Sequence, residues 1–213
     1  MMIKNQNKYK NVIFFERGKH KENIPNSCFF FDRDGIIIED CHYISSPEDV
    51  KLCPGAKELL RYLHNQKKLI IVVTNQSGIS KKLLTWRDYK KVTSKLIKLL
   101  GDPNPISAIY ANSYSQLNNG SWRKPNTGMI KQAASDFSID LHSSFLVGDR
   151  KSDIDAGLNA GIKNLVHVKT GHGFNERDSI KSKTDSFGNY KSGDKYSKIS
   201  FITNLVEFKK LLD

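Results

Sequence analysis

The sequence predicts an α/β fold, a three-layer sandwich of helices around a central parallel sheet, and three observations carry that expectation. Apolar runs of strand length alternate with stretches of helical period, the runs are unbroken in hydrophobicity, and each ends in a cluster of polar or acidic residues. Unbroken apolar strands are what a sheet covered on both faces requires. Intervening helices supply the right-handed crossovers that parallel strands need. Ligands of such sheets bind beyond the carboxyl ends of the strands, which is where the polar clusters fall.

The first run, Phe29-Phe30-Phe31, leads straight into Asp32-Arg33-Asp34-Gly35. Asp32 and Asp34 lie two apart, so in extended backbone both can face one side where the strand gives out. Left bare, the two carboxylates repel; a shared proton or a bound cation relieves them. Hard oxygen ligands suit Mg²⁺, which shares its shell with a substrate phosphate, and Gly35 permits a sharp departure of the backbone. On this stretch alone a surface turn explains the residues equally well, because Asp and Gly are common turn formers.

Around that strand the remaining elements fall in order. Residues 1–27 form an N-terminal extension with one apolar run, Val12-Ile13-Phe14-Phe15, which either adds an edge strand or drapes over the surface. The irregular stretch Asp40 to Pro47 is placed as a small flap over the strand end. Leu59, Leu60 and Leu63 give Ala56 to Gln66 a helical period after the Pro54-Gly55 break. Leu69 to Val73 is a second buried strand, ending in Thr74-Asn75-Gln76-Ser77-Gly78, and Trp86 to Leu100 is an amphipathic helix. A third strand, Ile106 to Tyr110, leads through a loop to Trp122-Arg123-Lys124-Pro125. The helix Gly128 to Phe137 precedes a fourth strand, Ser144 to Val147, which closes on Gly148-Asp149-Arg150-Lys151-Ser152-Asp153. A helix from Ile154 to Ala160 capped by Gly161 and the strand Asn164 to Val168 complete a core over 28–170. The segment 171–198 is rich in Lys, Ser, Asp and Gly and reads as an extended mobile loop or insertion. Residues 199–213 return a strand and a closing helix to the core.

With 213 residues the chain can bury one sizeable core, and its 38% hydrophobic and 26% charged content is ordinary for a soluble protein. No apolar run reaches the length of a bilayer span and the first residues carry no secretory apolar core, so a cytoplasmic location and no membrane partner are expected. Cys28, Cys41 and Cys53 fit no disulfide, zinc or redox spacing and read as thiols, Cys41 and Cys53 as packed ones. A net charge of +12 raises a nucleic-acid partner, but the lysines are dispersed. They read mostly as solvated surface that attracts small anionic substrates, with nucleic acid ranked behind.

Taken together, Phe-Phe-Asp-Arg-Asp-Gly, Val-Thr-Asn-Gln-Ser-Gly-Ile, Arg-Lys-Pro and Val-Gly-Asp-Arg resemble, in order over roughly residues 28–170, the haloacid dehalogenase-like (HAD) phosphohydrolases. Within them the motifs are similar to the branch that holds the heptose bisphosphate and histidinol-phosphate phosphatases. The resemblance implies a Rossmann-like core with a small flap and no large cap domain. It makes Asp32 the nucleophile, Asp34 the acid and base, and Thr74 and Lys124 the holders of the transferring oxygens. Mg²⁺ would lie on Asp32, the backbone carbonyl of Asp34, and Asp149, with Asp153 behind them orienting metal waters or Lys124. Substrate contacts carry over onto Asp40, His42 and Tyr43 of the flap, onto Asn75, Gln76 and Ser77, and onto Arg123 and Arg150. Many relatives carry a Cys/His zinc loop before the Arg-Lys pair; Ala111 to Trp122 contains neither residue and looks shortened, so no structural zinc is expected.

Plainer explanations exist for each part. Thr74-Asn75 could cap a turn, Arg123-Lys124-Pro125 could be a solvated loop, and carboxylates such as Asp149 and Asp153 are favoured at a helix start without any metal. His42 could be incidental, His167 and His172 read as structural, and Trp122 could pack on substrate or on its own loop. The leading expectation is a Mg²⁺-dependent phosphatase that takes one phosphate from a phosphorylated sugar, a heptose bisphosphate first. Histidinol phosphate and polynucleotide 3′-phosphate are the alternative substrates. A catalytically inactive phosphate-binding scaffold is the non-enzyme alternative.

Overall fold

The structure is a computed structural model that describes residues 2–4 (backbone), 9–15, 27–115 and 121–212. Its elements in chain order are β1 (Met2–Lys4), β2 (Lys10–Phe14), β3 (Cys28–Phe31), α1 (Ala56–Asn65), β4 (Leu69–Asn75), α2 (Ser77–Ser80), α3 (Trp86–Leu100) and β5 (Ala108–Asn112). They continue with α4 (Gly128–Phe137), β6 (Phe145–Gly148), α5 (Lys151–Ala160), β7 (Asn164–Val168), α6 (Gly173–Lys181), β8 (Asn189–Ser192), β9 (Lys195–Ile202) and α7 (Leu205–Leu212).

Among the described residues the strands make one nine-stranded sheet in the order β1-β2-β5-β4-β3-β6-β7-β9-β8. The six strands from β5 to β9 in that order are parallel, and the antiparallel pairs lie at the two edges. Strand alternation sorts the core into two layers. Phe29, Phe31, Ile70, Val72 and Ile109 pack with Leu59, Leu60 and Leu63 of α1, Tyr89, Val92 and Leu96 of α3, and Leu205 and Phe208 of α7. Cys28, Phe30, Ile71, Val73 and Tyr110 pack on the other face with Met129, Ile130 and Ala133 of α4 and Ile154 and Leu158 of α5. A one-residue slip of β3 would exchange Phe30 and Phe31 between the layers and turn Asp32 to the wrong face. Each buried aromatic or leucine contributes ~1.5–3 kcal/mol, so the two layers together hold that register.

Several expectations are corrected by the structure. The segment 171–198 is not a mobile loop: it carries α6, β8 and the start of β9, which extend the sheet beyond β7. The signal was weak because α6 buries only Gly173 and Ile180, and β8 only Tyr190. The open choice for the N-terminal run resolves as a strand, with β2 antiparallel to β5 and Val12 and Ile13 both buried. The third strand runs two residues later than its apolar run, because Ile106 is core before the pairing of Ala108 with Ile71 begins. Helix α5 starts at Lys151 rather than Ile154, since Asp153 bonds back to the amide of Arg150 and so opens the helix earlier. Cys41 is exposed rather than packed, whereas Cys53 is buried and burial pushes its thiol up to about 12. None of the three cysteines is in a disulfide among the described residues. No helix of the described residues is long and apolar enough to cross a membrane.

Candidate active site

The strand order reverses on either side of β3, whose neighbours are β4 and β6, and a crevice at the carboxyl end of the sheet is expected at such a switch. The pocket there is about 500 Å³ and is lined by Asp32, Asp34, Asp40, Asn75, Arg123 and Lys124, among others. Asp32 is still tied to the sheet, its amide donating to the Val147 carbonyl at 3.0 Å. Beyond it the chain folds over at once, with the Gly35 amide on the Ile38 carbonyl at 2.8 Å and the Cys53 amide on the Ile37 carbonyl at 3.0 Å. Ile36, Ile37 and Ile38 are buried in the α1/α3 layer, so the root of the flap is rigid and its tip, Asp40 to Tyr43, reaches over the pocket.

At the floor, Lys124 is 3% exposed and brings three segments together. Its Nζ lies 2.9 Å from Asp32 Oδ1, 2.7 Å from Asp153 Oδ1, and donates to the Val73 carbonyl at 2.8 Å. Burial alone would push this ammonium down, but Asp153 and Asp32 outweigh it and hold it above its ordinary value. Asn75 fixes the segment that carries Lys124: its Oδ1 accepts from the Lys124 amide at 3.1 Å and from Asn112 at 2.8 Å, and its Nδ2 donates to the Lys124 carbonyl at 3.2 Å. The Asn75 amide is therefore spent on holding the Lys124 backbone and the Asn112 side chain.

Ligand atoms of Asp32, Asp149 and Asp153 lie within 4.8 Å of one another. Burial, and then repulsion within the cluster, raise Asp149 well above the ordinary carboxylate range and Asp32 to about 7, Lys124 notwithstanding. Asp149 Oδ1 is buried with no hydrogen-bond partner, while its Oδ2 accepts the His172 amide at 2.6 Å. Gly35 and Gly171, both at positive φ, crowd that same oxygen so closely that a Cβ at either would collide with it. An orphaned buried carboxylate oxygen amid two other acids and one lysine is a hard-oxygen site that fits a divalent cation.

The other expected residues fall as follows. Asp34 turns its carboxylate to Arg33 and Gln76, and Gln76 Nε2 also reaches Thr74 Oγ1 at 2.9 Å. Thr74 is fully buried at the end of β4, and Ser77 lines the pocket at the start of α2. Tyr43 lies against Gly78 with its hydroxyl 2.6 Å from Lys81 Nζ, and His42 stands 6.2 Å from the His172 ring; both flap residues have positive φ, which costs energy for a residue with a Cβ. Arg123 and Arg150 face the pocket together: burial and then Arg150 push the Arg123 guanidinium down, as two like charges at an anion site would. Trp122 packs into the core against Tyr110 of β5, ring centroids 6.2 Å apart, a place that neither of its two readings gave it. The expected absence of a zinc loop concerns 111–122, of which residues 116–120 lie outside the described residues.

Sequence reasoning missed three residues here. His172, read as structural, lines the pocket and pairs through Nε2 with Asp40 Oδ2 at 3.0 Å, joining α6 to the flap. Glu176 also lines the pocket, accepting from the Lys151 amide at 2.6 Å and from Arg150 Nε at 3.2 Å. Both stand in the segment taken for a loop. Arg33, inside the Asp-Arg-Asp-Gly motif, was visible but unassigned, and a cation between two acids was its one signal. His167, by contrast, is structural as expected: fully buried, its Nε2 meets the Asp149 carbonyl at 2.9 Å, and burial pulls the ring down to about 4.

Comparison with known proteins agrees with this geometry. A family model described as polynucleotide kinase 3 phosphatase matches residues 27–194. The D-glycero-beta-D-manno-heptose-1,7-bisphosphate 7-phosphatase of Helicobacter pylori strain J99 is 36% identical over 169 residues, 75% of this chain and 96% of that protein. The D-glycero-alpha-D-manno-heptose-1,7-bisphosphate 7-phosphatase of Campylobacter jejuni is 35% identical over 146 residues, 68% of this chain and 84% of that protein. The crystal structure of D,D-heptose 1,7-bisphosphate phosphatase from B. bronchiseptica, complexed with magnesium and phosphate, shares the fold with a TM-score of 0.75 at 23% identity, over 87% of this chain and 97% of that one. On these matches the chain belongs to the haloacid dehalogenase-like phosphohydrolases, in the polynucleotide kinase 3 phosphatase family and alongside the heptose-1,7-bisphosphate 7-phosphatases.

Proposed function

We propose that the chain is a Mg²⁺-dependent phosphomonoester hydrolase that removes one phosphate from a heptose 1,7-bisphosphate through an aspartyl-phosphate on Asp32. The observation that carries this reading is the buried junction of Asp32, Lys124, Asp149 and Asp153 beneath a polar pocket. A scaffold that only bound phosphate would have no use for buried acids facing an anion. Asp32 attacks phosphorus, the bond to the sugar oxygen breaks, and that oxygen takes a proton from Asp34. Water then attacks phosphorus, gives its proton to Asp34, and frees Asp32 and inorganic phosphate. Lys124 and Thr74 hold the transferring oxygens, where fixed donors are worth ~3 kcal/mol each. Asp32, Asp149 and the carbonyl of Asp34 would hold the cation, and Asp153 keeps Lys124 in place. When bound, the cation offsets the repulsion between these acids and the phosphate.

The second phosphate falls to Arg123 and Arg150, whose planar forks suit two oxygens at once, and the sugar to Asp40, His42, Tyr43 and Ser77. Phosphate release from both anomers of the bisphosphate, from histidinol phosphate and from 3′-phosphorylated oligonucleotides, with Mg²⁺ or chelator, tests the assignment. Fastest Mg²⁺-dependent release from one heptose anomer supports it; release from none sinks it. A cytoplasmic setting belongs to the same proposal.

A second reading, removal of a 3′-phosphate from a polynucleotide, has one observation in its favour. Arg87, Lys90, Lys91, Lys95 and Lys98 stand along one side of α3, lining a shallow groove with Pro47. If nucleic acid lies there, turnover of an oligonucleotide falls steeply with added salt, whereas a small bisphosphate responds far less.

A further inference from the structure

Within the site, Arg33 is the centre of a polar array beside Asp34. Arg33 is 1% exposed. Its Nε donates to Asp34 Oδ1 at 3.1 Å, and its Nη2 to Oδ1 at 2.9 Å and Oδ2 at 3.0 Å. The same Nη2 donates to Gln76 Oε1 at 3.0 Å. Gln76 answers with its Nε2, which donates to Asp34 Oδ2 at 2.8 Å and to Thr74 Oγ1 at 2.9 Å. This ring of contacts fixes the Gln76 amide one way round, because a flip would set its NH₂ against the guanidinium and its oxygen against a carboxylate. Behind the guanidinium lies the face of Tyr89, 5.2 Å away and fully buried on α3.

Stability does not account for this arrangement. A buried ion pair gives back little more than its desolvation costs, and Arg33 Nη1 is left with no hydrogen-bond partner among the described residues. What the array does achieve is geometric: both oxygens of one carboxylate are held in a single plane and rotamer by Arg33, its neighbour in the turn after β3, and by Gln76, just beyond β4. The Arg33 side chain makes none of the contacts of the Asp32, Lys124 and Asp153 junction.

We propose that Arg33 and Gln76 are positioning residues that aim the Asp34 carboxyl at the leaving oxygen, so that substrates with a basic leaving group depend on them and substrates with an acidic one do not. The proposal rests on Asp34 as the proton donor. A sugar alkoxide cannot depart without that proton; a p-nitrophenolate can, because it is stable unprotonated at neutral pH. Cleavage of p-nitrophenyl phosphate therefore still uses Asp32, Lys124 and Thr74 but is indifferent to how Asp34 is aimed.

The test measures kcat/KM, which reports the step that expels the leaving group, for the heptose bisphosphate and for p-nitrophenyl phosphate with wild type, Arg33→Met, Arg33→Lys and Gln76→Leu. The expected result is a loss of roughly 10²-fold on the sugar for Arg33→Met, the scale of a mis-set general acid, with p-nitrophenyl phosphate changed by under about threefold. Arg33→Lys, which keeps the charge but cannot bridge two oxygens, falls between, and Gln76→Leu, which also frees the Thr74 hydroxyl, lowers both substrates and the sugar more. The ratio of the two substrates does not depend on the folded fraction, so a destabilised variant still reports. Equal losses on both substrates would overturn the positioning role and leave the active-site assignment standing. A wild-type chain that cleaves neither substrate would remove that assignment, and this proposal with it.

Discussion

Replacing Asp32 with asparagine is expected to stabilise the metal-free protein at pH 8 while abolishing turnover. The carboxyl is 8% exposed and shares a cluster with Asp149 and Asp153 whose ligand atoms lie within 4.8 Å. Burial first, and then Asp153 and Asp34, raise it from 3.8 to about 7, with Lys124 offsetting only part of the rise. Since the folded value exceeds the unfolded one, the stability this group contributes is fully present below pH 3.8 and is lost as pH rises through about 7. At about 1.4 kcal/mol per tenfold in proton affinity, the rise from 3.8 to about 7 makes the loss ~4 kcal/mol at pH 8. Asparagine removes the charge but also one partner of Lys124, so a net gain of ~2 kcal/mol is expected, or ~4–8 °C in Tm for a chain of this size. Calorimetry in chelator at pH 8 and pH 5 checks this: Asp32→Asn melts higher at pH 8, and its advantage shrinks at pH 5, where the wild-type carboxyl is protonated. Saturating Mg²⁺ raises the wild-type Tm more than the variant's. A variant that melts below wild type at pH 8, or whose gain is the same at both pH values, refutes the argument from buried repulsion.

The same groups make further predictions. Because protons on Asp32 and Asp149 both compete with the cation, Mg²⁺ affinity measured by titration calorimetry falls as pH drops below about 7; an affinity that does not change with pH would contradict it. Lys124→Met leaves the acids of the junction without their cation and costs ~3–5 kcal/mol at pH 8 in urea unfolding, with a smaller loss at pH 5; an equal loss at both would contradict it. Arg123→Gln and Arg150→Gln each raise KM for the bisphosphate by about tenfold or more, the value of a charged hydrogen bond, and leave a monophosphate of the same sugar nearly unchanged.

Much of this arrangement was legible because it is written in strand ends. Phe29 to Asp32, Val73 to Asn75 and Val147 to Asp149 pass directly from apolar strand to polar rim, so the sheet that buries the first part also delivers the second. The Arg123-Lys124 pair could be found by motif, but only the structure shows that Asn75 holds its backbone and that Lys124 penetrates between two acids. No residue pattern marks His172 and Glu176, since α6 is polar almost all round and is held by its contacts to Asp149, Arg150 and Lys151 rather than by an apolar stripe. Edge strands β1, β2 and β8 were missed or left open for a related reason. One buried Tyr190, or three adjacent buried residues of which one is Asn11 in β2, give too short a pattern to separate from a loop.

The covalent step on Asp32 is the claim on which the rest depends. Acid quenching during turnover of the bisphosphate, borohydride reduction of any acyl phosphate and mass spectrometry of the peptide around Asp32 test it directly. A Mg²⁺-dependent reduced product is expected at Asp32 and at no other carboxylate, absent in Asp32→Asn. Full phosphate release by Asp32→Asn, or a label on Asp34, Asp149 or Asp153 instead, would contradict it.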